Sequence, residues 1–337
     1  MYTHKTIRFK SILKIMGFHL IWLTLWASLV ALVFHYTRWR WMVIPWVPVS
    51  LIGTAVAFYV GFKNNQAYDR LWEGRKIWGG IVNSSRSFAS ALLAFLKEKE
   101  ATESSKIIVY RHIAWLYQLR AQLLEPMPWE HASQNDPVGI VNRSRMKTTG
   151  IGILDPDLTS KALQQYLNST DLAAMGKIRG NKAMQLIHQQ AESLAELHNN
   201  GNLSAYHHVH LQQLLNELVA QQGMAERVKK FPLPRQYATA SFIFVVIFIL
   251  FLPLGMVNEF DKLGEWGIWV SIPFCVIVGW VYVFMELVGD YSENPFEGLS
   301  SDVPMYAISR GIEIDLKGML GETDLPEPVK AVNGVLL

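Results

Sequence analysis

The chain has 337 residues, of which half are hydrophobic and only 18% are charged, and its formal net charge is +3. Typical soluble domains carry about 25% charged residues, so this composition argues against an ordinary soluble protein. The single cysteine, Cys275, excludes a disulfide bond within the chain.

Four stretches of the chain contain no Asp, Glu, Lys or Arg and are long enough to cross a bilayer as a helix, which takes about 20 mainly apolar residues. They lie at residues 15–37, 41–62, 236–258 and 266–285. The third contains SFIFVVIFILFLPLG and lacks the polar stripe that a helix of a soluble protein usually keeps. The first is too long for the apolar core of an ordinary signal peptide. We therefore predict an all-α membrane protein with four transmembrane helices.

Lysine and arginine residues flank these stretches unevenly. They cluster before the first stretch, after the second and before the third, and Arg38 and Arg40 give the opposing signal. Cytoplasmic flanks carry the excess of positive charge, so both termini and the middle of the chain are predicted to be cytoplasmic. Topology and anionic lipid explain these basic residues, and we predict no nucleic-acid partner.

The long segment between the second and third stretches shows apolar residues at helical spacing, as in SSKIIVYRHIAWLYQLRAQLL, and is predicted to be a large helical domain. Proline and glycine interrupt residues 126–157, which are predicted to be a long loop or a partly disordered insertion. The predicted organisation is an N-terminal segment with the first two spans at 1–62, a helical cytoplasmic domain at 63–235, the last two spans at 236–288, and a cytoplasmic C-terminal segment at 289–337.

Sequence motifs of catalysis are absent from the chain: it has no phosphate-binding loop, zinc-protease motif or nucleophile elbow. His207, His208 and His210 form the densest group of possible metal ligands, but no nearby Cys or acidic residue completes it. We therefore predict no enzymatic activity, no catalytic residue, no cofactor and no metal site.

Two stripes of residues run along the second apolar stretch. One stripe consists of small residues, Gly53, Ala57 and Gly61, and would let a neighbouring helix approach closely in lipid. The other consists of Thr54, Phe58 and Phe62, turned by about 100° from the first. On an axis shared by several copies, these aromatic residues would form a hydrophobic constriction. Aromatic residues are also ordinary in spans, and the pattern alone favours contacts with lipid or within a bundle.

The segment that follows, GFKNNQAYDRLWEGRKIWG at residues 61–79, resembles the continuation of the second helix in bacterial bestrophin-like proteins. After the last span, ENPFE at 293–297, DVP at 302–304 and GIEIDL at 311–316 resemble a second block of that family. The resemblance covers most of the chain and is weakest at 126–180. Its signature residues here are Asn64, Asn65, Tyr68, Asp69, Arg70, Glu73, Asn294, Pro295, Phe296, Asp302 and Pro304.

This resemblance implies a homopentamer around one central pore, in contact with membrane lipid and permeant ions in a bacterial inner membrane. It also implies a narrow neck lined by Thr54, Phe58 and Phe62, where Thr54 departs from the usual bulky apolar residue. A second constriction of the family, at the cytoplasmic end, best matches NKAMQLI at residues 181–187, with Ala183 or Met184 facing the axis.

The resemblance leaves the transported ion open. Eukaryotic members pass chloride, whereas bacterial members resemble pathways for monovalent cations, so family position predicts small cations, with a chloride channel as the alternative. A membrane-anchored scaffold or signalling protein is a further alternative. Glu293, Glu297 and Asp302 are too few and too dispersed for the calcium site of eukaryotic members, and are predicted to act as caps and salt-bridge partners.

Overall fold

The computed structural model describes residues 1–4, 6, 9–96, 99–135 and 137–337. These residues form eleven α-helices and no β-structure beyond isolated bridges. The helices are α1 (Phe9–Thr37), α2 (Trp46–Phe95), α3 (Lys99–Leu123), α4 (Pro137–Thr149), α5 (Leu158–Tyr166), α6 (Ser169–Lys177), α7 (Lys182–Asn199), α8 (Ala205–Lys230), α9 (Arg235–Asp261), α10 (Gly267–Asp290) and α11 (Met305–Met319).

Four of these helices, α1, α2, α9 and α10, are long and apolar enough to cross a membrane, which confirms the four predicted spans. The helix α2 extends far beyond the second apolar stretch and runs for 50 residues. Pro48 lies in its first turn, where a proline costs no helical hydrogen bond, and the next proline is Pro126. No proline therefore interrupts α2 between Pro48 and its end at Phe95.

The chain divides into two compact units. The membrane unit contains residues 4–70 and 232–293, and the large unit contains residues 1–3, 71–231 and 294–337. In the membrane unit, α10 packs against α1 and α9. Its apolar core includes Leu23, Val56, Phe248 and Cys275, so each of the four spanning helices contributes to it.

The helix α3 is the centre of the large unit and packs against α5, α7, α8 and α11. Every residue from 111 to 120 is buried, so α3 has no solvent-facing stripe in this region. Its polar side chains therefore need buried partners. Arg111 forms an ion pair with Asp171 at 3.0 Å, and the indole nitrogen of Trp115 donates to Gln222 at 2.9 Å.

Residues 126–157 were predicted to be a loop or a partly disordered insertion, and this prediction is wrong for residues 137–149, which form α4. Pro137 is the first residue of the helix, where its missing N–H is harmless. Gly139 follows in a crowded first turn, since a Cβ there would lie 2.0 Å from the carbonyl oxygen of Gln134. Proline and glycine destabilise the interior of a helix, but at these two positions they lie in its first turn.

The small-residue stripe of α2 meets two different environments. A Cβ on Gly53 would lie 2.7 Å from the ring of Phe248 in α9, and the Tyr282 hydroxyl of α10 donates to the Gly53 carbonyl at 2.9 Å. Gly61, two turns further on, has no atom within 4 Å of the Cβ position. Close packing within the chain therefore explains why position 53 holds a glycine, but it gives no reason for the glycine at position 61.

This difference predicts the effect of adding one methyl group. Gly53→Ala should lower the stability of the protein by about 1 to 3 kcal/mol, because Phe248 is buried and must shift. Gly17→Ala in α1 is the matched control, since its Cβ would meet no atom within 4 Å. Thermal unfolding in detergent measures both, and equal melting temperatures for the two variants would contradict the packing described.

Candidate functional site

The buried face of α2 in the membrane unit has a regular spacing. Its buried residues alternate by four and three positions: Val49, Gly53, Val56, Val60, Lys63 and Ala67. This is the spacing by which one helix seam faces its partners over several turns. The seam holds α2 against α9 and α10, as at Val49, which lies 3.1 Å from the Cβ position of Gly255. The opposite face of α2 is thereby turned outward.

The three predicted neck residues all lie on this outward face. Thr54, Phe58 and Phe62 are exposed, and the two phenylalanines keep 67% and 65% of their surface accessible. The structure therefore brings the three side chains into one line, one helical turn apart. They line an open groove of about 530 Å³ together with Ala57, Gly61, Asn65 and Tyr282.

The chemistry of this line is apolar in its middle and polar at its ends. The Thr54 hydroxyl donates to the Ser50 carbonyl of its own helix at 3.0 Å, so it needs no partner outside the chain. Asn65, one turn after Phe62, is exposed and adds an amide to the groove. Large exposed apolar surface marks contact with lipid or with another protein chain. Thr54 and Asn65 therefore place a polar group on each side of the two phenylalanines, as expected for a surface that contacts water at both ends of an apolar segment.

A cluster of buried charges lies directly behind this line. The Lys63 amino group is 2.5 Å from a carboxylate oxygen of Glu286 and 2.5 Å from one of Asp290. Ser241 donates its hydroxyl to the second oxygen of Glu286 at 2.5 Å. This cluster was not predicted from the sequence. The usable signal was the pair Glu286 and Asp290, one turn apart at the end of an apolar stretch, because ionisable residues in spans are nearly always paired.

The first signature block ties α2 to the end of α10 and to the segment after it. The Asn64 side-chain amide donates to the Met285 carbonyl at 3.0 Å, and Arg70 Nε donates to the Glu293 carbonyl at 2.9 Å. In contrast, Asn65, Tyr68 and Asp69 are exposed. In the large unit, Glu73 pairs with Arg227 at 2.5 Å. Some signature residues thus hold α2 against its neighbours, and others form an exposed polar surface.

The second signature block is buried and structural. Asn294, Pro295, Phe296, Asp302 and Pro304 are all buried. One oxygen of Asp302 accepts the backbone N–H groups of Gly298 and Leu299 at 2.8 and 3.0 Å, so this carboxylate caps the turn as predicted.

The other carboxylates of this region have separate partners. Glu293 pairs with Arg235 at 3.3 Å in the membrane unit, as predicted for a salt-bridge partner. Glu297 lies 3.6 Å from the His131 ring in the large unit. Among the described residues, no three His, Cys, Asp or Glu side chains converge as a metal site.

The pKa of Asp302 is raised to about 7, mainly by burial and to a smaller extent by the neighbouring Glu297, although the two backbone N–H donors lower it. The folded chain therefore holds a proton that the unfolded chain releases between about pH 4 and pH 7. Because Asp302 caps the turn at Gly298 and Leu299, the stability of this turn should depend on pH.

The proposed second constriction lies at the start of α7. Ala183 is completely buried in the core of the large unit, whereas Met184 is 37% exposed. The Asn181 side chain caps the helix by accepting the Met184 N–H at 3.0 Å, and Gln122 accepts the Ala183 N–H at 2.9 Å. These bonds fix the rotation of the first turn. Of the two predicted residues, only Met184 has a side chain at the surface of the chain.

Comparison with known proteins gives three concordant similarities. The family model of the Bacterial/Fungal Bestrophin protein matches residues 5–318. Voltage-dependent anion channel-forming protein YneE of Escherichia coli K12 is 25% identical over 84% of this chain and 79% of its own length. Voltage-dependent anion channel-forming protein RSc3414 of Ralstonia nicotianae is 26% identical over 90% of this chain and 87% of its own length.

The crystal structure of a bacterial Bestrophin homolog from Klebsiella pneumoniae superposes with a TM-score of 0.74 at 20% identity, and covers 91% of this chain and 99% of that chain. The predicted all-α fold with four spanning helices and a large helical domain is confirmed by this similarity. The predicted family resemblance is confirmed as well.

The raised pKa of Asp302 predicts that the contribution of this residue to stability falls as pH rises from about 4 to about 7 and then stays level, because the folded state favours the protonated acid. Asp302→Asn keeps an oxygen that can accept both backbone bonds and should remove this pH-dependent part. Melting temperatures of the wild type and the variant at pH 5 and pH 8 measure it, with the exposed Asp157→Asn as control. A variant that is less stable than the wild type by the same amount at both pH values would contradict the assignment.

Proposed function

Because the chain belongs to the bacterial and fungal bestrophin family, whose members are ion channels, we propose that it forms a homopentameric channel for small anions such as chloride. The relatives YneE and RSc3414 are named as voltage-dependent anion channel-forming proteins. These names favour the chloride alternative over the small cations that family position predicted. We also propose that the protein lies in a bacterial inner membrane, surrounded by lipid, with both termini in the cytoplasm.

The exposed line of Thr54, Phe58 and Phe62 is the observation that carries this proposal. Repeated around a central axis, it forms a neck whose two aromatic layers are dry when closely spaced and conduct when they separate and fill with water. The buried seam on the other side of α2 leaves this face available to an axis. Thr54, at the outer end, makes the entrance more polar than the two layers of phenylalanine.

The charges that follow the neck along α2 are compatible with anions. Asp69 is the one exposed acid between residues 65 and 76 whose charge has no basic partner, since Glu73 is neutralised by Arg227 at 2.5 Å. Arg75 and Lys76 are both exposed. This part of the helix therefore carries no negative excess that would select cations, and its basic side chains raise the local concentration of anions.

The neck predicts a specific effect of removing its aromatic rings. Phe58→Ala with Phe62→Ala should increase single-channel conductance in planar bilayers several-fold, because two apolar layers are replaced by a wider, wetter passage. Phe18→Ala, at a phenylalanine of α1 that is 72% exposed, is the matched control and should leave conductance unchanged. With asymmetric NaCl, the wild-type reversal potential should lie close to the chloride equilibrium potential.

The channel proposal fails if purified wild type and the double variant both pass no ion. The anion assignment fails separately if the reversal potential lies close to the sodium equilibrium potential.

The second constriction predicts an electrostatic effect at Met184. Met184→Glu should lower the permeability of chloride relative to sodium, since a ring of carboxylates at a narrow passage repels anions. Met319→Glu in α11 is the control, because Met319 is similarly exposed at 42%. Equal shifts of reversal potential in the two variants would remove Met184 from the pore.

A further inference from the structure

Lys63 lies in the buried seam of α2, and its chain neighbour Phe62 lies on the exposed line. The two side chains leave the helix about 100° apart, so the position of one determines the position of the other. Any rotation or slide of α2 that moves Phe62 also moves the Lys63 amino group relative to its carboxylates on α10. The neck residues and the charge cluster therefore move together.

The contacts of Lys63 come from one helix, α10, and are short. Its side chain is 1% exposed and that of Glu286 is 6% exposed, so this pair is shielded from water. Asp290, one turn further along α10, is 29% exposed and supplies the second carboxylate. Ser241 of α9 holds the far oxygen of Glu286 at 2.5 Å. Three helices thus meet at the one charged residue of the seam.

Buried ion pairs are poor sources of stability, because the cost of removing two charges from water cancels most of their attraction. Their better attested role is to fix one register among several, as a single polar residue does within an apolar helix seam. Here the other five residues of the seam are small or β-branched: Val49, Gly53, Val56, Val60 and Ala67. Such side chains can repack after a shift of one turn at the cost of the close contact between Gly53 and Phe248, whereas Lys63 would lose both carboxylates.

A second contact beside Lys63 limits tilting of α2 against α10. The oxygen of the Asn64 side chain would lie 2.2 Å from a Cβ at Gly289, so α2 and α10 approach closely at this point. A close approach permits little tilting, but it does not prevent sliding along the groove that Gly289 leaves. The ion pairs supply the restraint along the helix axis.

We propose that Lys63 is a positioning residue whose ion pairs with Glu286 and Asp290 lock the register of α2 on α10 and so set where Phe58 and Phe62 stand in the neck. This inference rests on the proposed channel function for its consequence, but the register itself can be measured within one chain. Neutralising the lysine leaves an apolar seam that can occupy more than one register, and the neck then varies in width.

The test compares Lys63→Met with the charge exchange Lys63→Glu plus Glu286→Lys, made together with Asp290→Asn so that the carboxylate at position 63 meets a lysine and no second carboxylate. Spin labels are placed at Leu51→Cys and Val281→Cys in a Cys275→Ala background, since both positions are exposed, one on α2 and one on α10. Labelled protein is diluted with unlabelled protein, and electron–electron resonance gives the intrachain distance. Lys262→Met, at an exposed ion pair with Glu259, is the matched control.

The expected result is one narrow distance for wild type and the control, a broader or double distribution for Lys63→Met, and recovery of the narrow distance in the charge exchange. Channel recordings should show additional conductance levels for Lys63→Met and a single level after the exchange. If Lys63→Met does not fold, Glu286→Gln, which keeps the side-chain shape, should give the broadened distribution.

A narrow, unshifted distance in the neutralised variants would overturn the lock, as would a charge exchange that fails to restore it. Broadening in a protein whose wild type passes no ion would instead support the register lock and refute the channel function. An unchanged spin-label distance in the neutralised variants, together with normal conduction by the wild type, would support the channel function and refute the register lock.

Discussion

The packing of α2 is the constraint on which the rest of the structure depends. One face of this helix is a seam of small and β-branched residues that must lie against α9 and α10, and the other face carries exposed aromatic residues. A helix has one rotation, so burial of the seam decides where the aromatic line points. The charged residue in the seam then decides how far along its partners the helix stands.

Much of the family signature supports this one helix. Asn64 donates a hydrogen bond to the backbone carbonyl of Met285, and Arg70 donates one to that of Glu293. Both residues act here as hydrogen-bond donors to the backbone. The exposed signature residues Asn65 and Asp69 have a different role, because they form part of the polar surface that follows the aromatic line. A motif can therefore be conspicuous in sequence for two unrelated physical reasons.

The large unit shows a related use of buried polar groups. Glu313 accepts hydrogen bonds from the hydroxyls of Tyr117 and Tyr166 and pairs with Arg310 at 3.1 Å. Burial raises the pKa of both tyrosines, so they stay protonated and remain donors. His112 bonds to Ser85 at 2.9 Å, and burial lowers its pKa to about 4, so it is neutral at ordinary pH. These bonds fix the orientation of α3 within a core that surrounds it.

The sequence predicted what lipid and helical periodicity demand, and missed what depends on partners distant in the chain. Four spans followed from uncharged length alone. The spacing of Phe58 and Phe62 placed them on one face of α2, whereas their assignment to a neck came from the family resemblance and stays a prediction. The pairing of Lys63 with Glu286 joins residues more than 200 positions apart, and no local pattern shows which helix faces which. Ala183 was a poor candidate for the same reason, since Gln122 and Asn181 set the rotation of α7. The helix α4 was missed because proline and glycine end helices more visibly than they begin them.

The proposed channel requires that the outward face of α2 lines an axis shared by several copies. Electron cryomicroscopy of the protein in lipid nanodiscs tests it most directly, because it shows the assembly and the position of each side chain together. We expect five copies around one axis, with Phe58 and Phe62 of every copy at the narrowest part of the passage. A particle in which these two rings face lipid, or are buried between helices away from any axis, would contradict it.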